Sequence, residues 1–226
     1  MKTFNHFGLW TALVLLLAAG CNTGYRADIK MLLAPSSLPY LKSSKLIQVS
    51  GYDTSGGDQD RIVIPPGKKE DILQVEGPGM IVRIWFGINS GDPWLHRHLV
   101  IRMFWDNEEI PSVEVPFGDF FGNGFAYQPY TAQYLSMTGG GYLCNFPMPF
   151  ERMARIELTN DSPEHPVSIA YQIGYQKFEG ALESDVAYFH AFWNRNVRTY
   201  YDSHYVLLNA VRSEEHTSEL QSRQSI

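Results

Sequence analysis

The sequence predicts an all-β protein, an antiparallel β-sandwich of jelly-roll type. From Arg61 onward apolar residues recur at every second position, the period of strands with one buried face. These runs are short, and Gly, Pro, Asn and Asp separate them, as tight reversals require. Only residues 183–195 admit a helix, and their aromatic content leaves that assignment open. The chain has 226 residues, 44% hydrophobic and 14% aromatic, which suits one domain with a well-filled core.

In chain order, residues 1–20 read as a signal peptide. Lys2 leads an apolar stretch from Leu9 to Ala19, eleven residues, too few to span a bilayer, which takes about 20 in a helix. Ala18, Ala19 and Gly20 before Cys21 resemble a lipobox, so Cys21 is expected to carry lipid, with Asn22 directing the protein to the outer membrane or cell surface. The alternative is a plain secretory signal with Cys21 incidental. Residues 21–50, with Pro35, Pro39 and runs of Ser, read as a tether. The domain is expected over 51–211. In its first clear strand Met80, Val82, Ile84 and Phe86 share one face, and Ile81, Arg83 and Trp85 the other. Leu99, Ile101, Met103 and Trp105 line the next, and Asp106-Asn107 turn it back toward Val113 and Val115. Ala154, Ile156 and Leu158 line a later strand. After the turn at Asn160-Asp161-Ser162-Pro163, Val167, Ile169, Tyr171, Ile173 and Tyr175 line another. On the opposite faces Arg83, Arg102 and Glu114 form an expected ladder of opposite charges, worth up to about 1 kcal/mol per pair.

Arg212 to Ser222 reads like the in-frame translation of a sequencing adapter, so residues 212–226 are expected to be foreign and the native sequence to be cut near Val211. The sandwich is then incomplete. Cys144 is the only cysteine besides Cys21, so with Cys21 lipidated no intramolecular disulfide is expected. A net charge of −6 leaves no surplus of Lys and Arg to neutralise a phosphate backbone, which argues against a nucleic-acid partner.

Four segments carry a resemblance: Gly51-Tyr52-Asp53-Thr54-Ser55-Gly56-Gly57-Asp58-Gln59-Asp60-Arg61; Glu76-Gly77-Pro78-Gly79 leading into Ile84-Trp85-Phe86; Pro116-Phe117-Gly118-Asp119-Phe120-Phe121-Gly122; and Cys144-Asn145-Phe146-Pro147-Met148-Pro149-Phe150. In this order, with the strand Leu99 to Trp105 and Pro111-Ser112-Val113-Glu114-Val115 between them, they resemble glycoside hydrolase family 172, first catalogued as domain of unknown function 2961. The likeness runs from about Leu41 to Phe192. It implies paired jelly rolls that assemble into homo-oligomers. The implied activity is on furanosides, of the α-D-fructofuranosidase and difructose-anhydride type or the arabinofuranoside type. A retaining glycosidase needs two carboxyl groups about 5 to 5.5 Å apart. The family's two catalytic glutamates lie in later Trp-, Gly- and Glu-rich segments that do not occur here, and residues 193–211 contain no Glu. No catalytic residue is therefore assigned, and the chain is expected to offer only substrate-contacting residues. The rival expectation is a non-catalytic carbohydrate-binding or assembly module at the cell surface.

Read from the residues alone, Asp119, Phe120 and Phe121 on a glycine-flanked loop are the first site candidates. Rings cover the C–H faces of a sugar while a carboxylate accepts from its hydroxyls; a tight turn with core Phe residues is the equal alternative. Asp53, with Tyr52, Asp58 and Asp60, is a second candidate for substrate or calcium. That loop lacks the terminal Glu of an EF-hand and also reads as a solvated loop, so no metal is assigned. Asn145 is the third, beside the rigid Pro147-Met148-Pro149-Phe150 turn. His96, His98, His165 and His190 show no ligand spacing and are expected to be satisfied or exposed. Gly139-Gly140-Gly141 reads as a turn, and no cofactor is expected. The partners expected are a furanoside-containing glycan and, through the N-terminal lipid, a membrane.

Overall fold

A computed structural model describes residues 44–53, 55–57, 59–195, 201–202 and 204. The signal peptide, Cys21, most of the tether, Asp58 and the suspected foreign tail lie outside the described residues. One compact unit ends at Trp193; past it, Tyr201 and Asp202 form a turn.

The elements run β1 (Lys45–Ser50), β2 (Ile62–Ile64), β3 (Lys69–Glu76), β4 (Gly79–Ser90), α1 (Leu95–His98), β5 (Leu99–Trp105), β6 (Val113–Pro116), α2 (Phe117–Phe120), β7 (Tyr130–Thr131), β8 (Leu135–Thr138), β9 (Gly141–Cys144), β10 (Met148–Phe150), β11 (Met153–Asn160), β12 (Val167–Lys177) and β13 (Ala191–Phe192). They build two sheets. The eight-stranded sheet has the order β1-β12-β4-β9-β8-β7, with β10 also on β4 and β2 on β12; the five-stranded sheet has the order β13-β6-β5-β11-β3. Every pairing is antiparallel except β13 with β6. The protein is an all-β sandwich.

Between the sheets lies one continuous core. It includes Ile84 and Phe86 from β4, Ile101, Met103 and Trp105 from β5, Ile156 and Leu158 from β11, and Ile169 and Ile173 from β12. Full burial of such a side chain is worth about 1.5–3 kcal/mol. Cys144 on β9 belongs to this core, and burial pushes its thiol up to about 12.

The alternation predicted for β4 breaks at Val82. Gly174 pairs with Arg83 but Tyr175 pairs with Ile81, so Val82 is an extra residue. A bulge inserts one residue and inverts every face beyond it. Ile81 therefore joins Ile84 and Phe86 in the core. Met80 and Val82 instead form a small outer cluster with Phe178, Leu182 and Val186. A second bulge, where Ile156 faces Leu73 and Glu157 faces Asp71, lets the consecutive Ile72 and Leu73 both be buried.

The charge ladder forms on other partners than predicted. Arg102 Nε donates to Glu114 Oε1 at 2.7 Å across β5 and β6. Arg83 takes no part, because β4 belongs to the other sheet; its Nη1 reaches Gln172 Oε1 at 3.5 Å. Its place is taken by Glu157 on β11, which lies 2.7 Å from Lys69, 3.6 Å from Arg102 and 3.4 Å from Arg155. Burial raises the pKa of Glu157, yet these cations outweigh it and hold the carboxyl below its ordinary value.

Three local outcomes bear on the site. Lys45–Ser50, within the stretch read as tether, pairs with β12 along its whole length and packs Ile47 and Val49 on the core. Residues 183–195 form no helix. They belong to a strap that leaves β12, and β13 within it adds to the five-stranded sheet; Tyr188, Phe189 and Ala191 pack on the core. Asp106 and Asn107 both have positive φ, 54° and 68°, the backbone of the reversal expected there. Asp106 Oδ1 also accepts from the backbone N–H groups of Glu151, Arg152 and Met153, and Oδ2 from the Tyr188 hydroxyl. One side chain thus joins the β5–β6 turn, the β10–β11 turn and the strap.

Candidate functional site

The site grows from two short helical turns in contact, α1 and α2. Asp92 fixes α1. Its Oδ1 accepts from Trp94 N at 2.8 Å, and its Oδ2 lies 2.7 Å from His98 Nδ1. Burial raises the Asp92 pKa, but His98, the Trp94 N–H and Ser162 together hold it below the ordinary value. Between the two histidines, His96 turns inward, its Nε2 2.7 Å from the Tyr142 hydroxyl. Burial lowers the His96 pKa and pushes Tyr142 up to about 12. At neutral pH neither group then carries a charge, and one hydrogen bond joins the imidazole to the phenol. Successive helical residues are rotated by about 100°, so anchoring His96 and His98 aims Arg97 elsewhere.

Arg97 reaches α2. Its Nη1 donates to Asp119 Oδ2 at 2.6 Å, and its guanidinium lies 4.5 Å from the ring centre of Phe125 and 5.8 Å from that of Trp193. The approach is close enough to demand glycine. A Cβ on Gly124 would stand 2.7 Å from both Arg97 Nη2 and Asp119 Oδ1, and one on Gly118 2.6 Å from His96 Cβ. The glycines flanking the Asp119 motif therefore make room for an ion pair. Burial pushes the Asp119 carboxyl above the usual carboxylate range, against the opposing pull of Arg97 and Trp193.

Asp119 lies on the wall of a pocket of about 240 Å³ whose other walls include Phe120, Phe146, Phe189, Phe192 and Trp193. Among the described residues Asp119 is the only carboxylate in that lining. The arrangement offers apolar faces around one oriented anionic acceptor, which suits a polar ring carrying hydroxyls.

Of the residues singled out from sequence, Asp119 and Phe120 meet in the pocket. Phe121 does not: it is fully buried, packed on Phe86, Phe117, Tyr142 and the back of Phe120. Asn145 is exposed next to Phe146, with its N–H donated to Tyr134 O at 2.7 Å. Asp53 lies away from the pocket lining and organises its own loop. Its Oδ1 accepts from Ser55 N at 2.8 Å and from Ser55 Oγ at 2.6 Å, and these bonds lower its pKa. Among the described residues no group of three or more His, Cys, Asp or Glu stands together as a metal site.

Sequence reasoning missed Arg97, Phe146, Phe189 and Trp193. The aromatic density of Tyr188-Phe189-His190-Ala191-Phe192-Trp193 was the available signal for the strap. Arg97, inside Trp94-Leu95-His96-Arg97-His98, gave none.

The family model described as GH172 domain-like matches residues 56–170, just over half of the chain and inclusive of Arg97, Asp119 and Phe120. No curated protein matches the chain. The family match, over more than half of the chain, shows that the chain belongs to the GH172 domain-like family and is related to glycoside hydrolases.

Proposed function

We propose that this chain is the N-terminal, sugar-contacting part of a lipid-anchored glycoside hydrolase acting on furanosides, displayed at the outer membrane or cell surface through Cys21. The observation that carries the reading is the single carboxylate of Asp119, aimed by Arg97 into an aromatic-walled pocket of a GH172-like domain. In this assignment Asp119 accepts from a sugar hydroxyl and Phe120 covers a C–H face. Arg97 positions the carboxylate, and Phe121 supports Phe120 from behind at 5.1 Å. Hydrolysis with retention needs a second carboxyl group about 5 to 5.5 Å from the first. The proposal places both catalytic acids on native sequence beyond Val211, and the intact protein forms homo-oligomers.

That same lone carboxylate favours a second reading, a non-catalytic carbohydrate-binding module. Assays of the chain extended with its genomic continuation separate the two. Turnover of an aryl α-furanoside by the extended chain, absent from residues 22–211, supports the enzyme; binding without turnover supports the module. For the pocket itself, Asp119→Asn should weaken furanoside binding about tenfold or more in calorimetry, as expected for loss of a charged hydrogen-bond acceptor. Unchanged affinity removes Asp119 from the site.

A further inference from the structure

On β4 the residues Arg83, Trp85, Gly87 and Asn89 alternate with the core residues Ile84, Phe86 and Ile88, and so point out of the sandwich. Trp85 is cross-strand partner to Gln172 on β12 and Leu143 on β9, and Gly87 to Ala170 and Gly141. The long edge of the indole lies across the paired glycines. A Cβ on Gly141 would stand 2.5 Å from Trp85 Nε1, and one on Gly87 3.2 Å from Cη2. Trp85 remains partly exposed. Beside it Arg83 donates to Gln172 Oε1 at 3.5 Å, and exposed Asn89 and Thr138 lie on the same face.

The chain treats the two halves of this face differently. Where the outer surface is apolar, at Met80 and Val82, the strap covers it with Phe178, Leu182 and Val186. Among the described residues the half around Trp85 is left uncovered; Leu143 beside the indole and Val63 at the β2 margin are its other large apolar side chains, and Arg83, Gly87, Asn89, Thr138, Ala170 and Gln172 make the rest polar or small. A buried protein interface has an apolar centre depleted in polar groups. An indole with one Leu beside it, framed by amides, a guanidinium and a hydroxyl, instead matches a sugar, which shows C–H on its faces and hydroxyls at its rim.

We propose that the outer face of the eight-stranded sheet around Trp85 is a glycan-binding surface for a neutral polysaccharide chain, separate from the Asp119 pocket. The indole, seated over Gly87 and Gly141, stacks on one sugar ring, and Arg83 and Gln172 hydrogen-bond its hydroxyls.

The test is affinity electrophoresis of the full chain in gels containing inulin, levan, arabinan or dextran, with gel filtration and melting curves in parallel. The expected result is retardation by at least one polymer, weakened about tenfold in Trp85→Ala, largely kept in Trp85→Tyr, and weakened less in Asp119→Asn than in Trp85→Ala. Absence of retardation for the parent chain on all four polymers overturns the proposal, as does full retention in Trp85→Ala. Equal loss in Asp119→Asn assigns the binding to the pocket and also overturns it. A change of oligomeric state in Trp85→Ala would make the face a contact between copies, again overturning it. If Trp85→Ala fails to fold, the Arg83→Ala, Gln172→Ala double variant decides, because it leaves the indole on its glycines: about tenfold weaker retardation upholds the proposal and full binding ends it. The Asp119→Asn arm keeps this outcome distinct from failure of the pocket reading.

Discussion

At the scale of single residues, the site places charge where burial disfavours it. Asp119 is held above the usual carboxylate range by burial. Its contribution to stability is therefore present below its unfolded pKa and lost as pH rises through the folded value. At neutral pH the charged form is a cost to folding, as expected of a group kept for binding. Asp119→Asn should accordingly leave the melting temperature at pH 7 within about 4 °C of the parent, roughly 1 kcal/mol for a chain of this size, while sugar affinity falls. A large loss of melting temperature would make the residue structural. His96 has the opposite sign. Its folded pKa is lowered by burial, so its contribution is present above the ordinary value near 6.5 and lost as pH falls through the folded value. Melting curves from pH 7.5 to 5 should show stability declining from about pH 6.5 downward, with a weaker decline in His96→Gln. The lowered pKa of Glu157 acts in a separate window, below its ordinary value of 4.5. Sequence reading reached Asp119 and Phe120 because glycine-framed acid and aromatic residues form a local pattern. It misassigned Phe121 because neighbouring rings in a turn look alike until the packing on Phe86 and Tyr142 is known. Arg97 was invisible because its role depends on which way a four-residue helix faces.

At the scale of elements, register decides what each strand contributes. The bulge at Val82 shifts β4 by one residue and sends Ile81 inward and Met80 outward. A strictly alternating pattern hides such an insertion, since Met80, Ile81 and Val82 are all apolar. Deleting Val82 should remove the bulge while keeping Ile81 inward and Met80 outward, opposite Tyr175 and Gln176 as before. The expected loss is about 1–2 kcal/mol in urea unfolding, the range for losing the contacts of one partly buried Val in the outer cluster. A loss above about 4 kcal/mol would mean that the bulge itself is needed to seat the strand. The ladder shows a related boundary of sequence reading. Alternation tells which face a charge occupies but not which sheet its strand joins, so Arg102 with Glu114 was recoverable and Arg83 was misplaced. The strap was left open for the same reason: its aromatic residues pack on distant elements rather than on one another's helical neighbours.

At the scale of the whole molecule, the sandwich was legible because period-two alternation and turn chemistry survive any strand order. The order itself was not, because pairings such as β3 with β11 join residues far apart in sequence. The edges of the two sheets are unequal. β3 presents Lys69, Glu70, Asp71 and Glu76 at its edge, charges that discourage pairing with another chain. The opposite edge, β13, carries Phe192 beside Trp193, and edge strand β1 carries Leu46; these three are 49%, 42% and 66% exposed. Expressed alone, the chain should self-associate through these edges, giving particles larger than a monomer in light scattering, and Leu46→Lys with Phe192→Lys should reduce their size. A soluble monomer with one cooperative transition would show that these edges are not sticky and would count against missing partner strands.

Cys144 is the one thiol among the described residues, sealed within β9 between β4 and β8. With its proton held to about pH 12 by burial, it is inert towards disulfide reagents while the strands stay joined, since only an accessible thiolate attacks. In a Cys21→Ser background, the labelling rate of native protein would count each excursion that tears this strand from its neighbours. The polypeptide thus carries its own clock for breathing of the larger sheet, with no probe introduced.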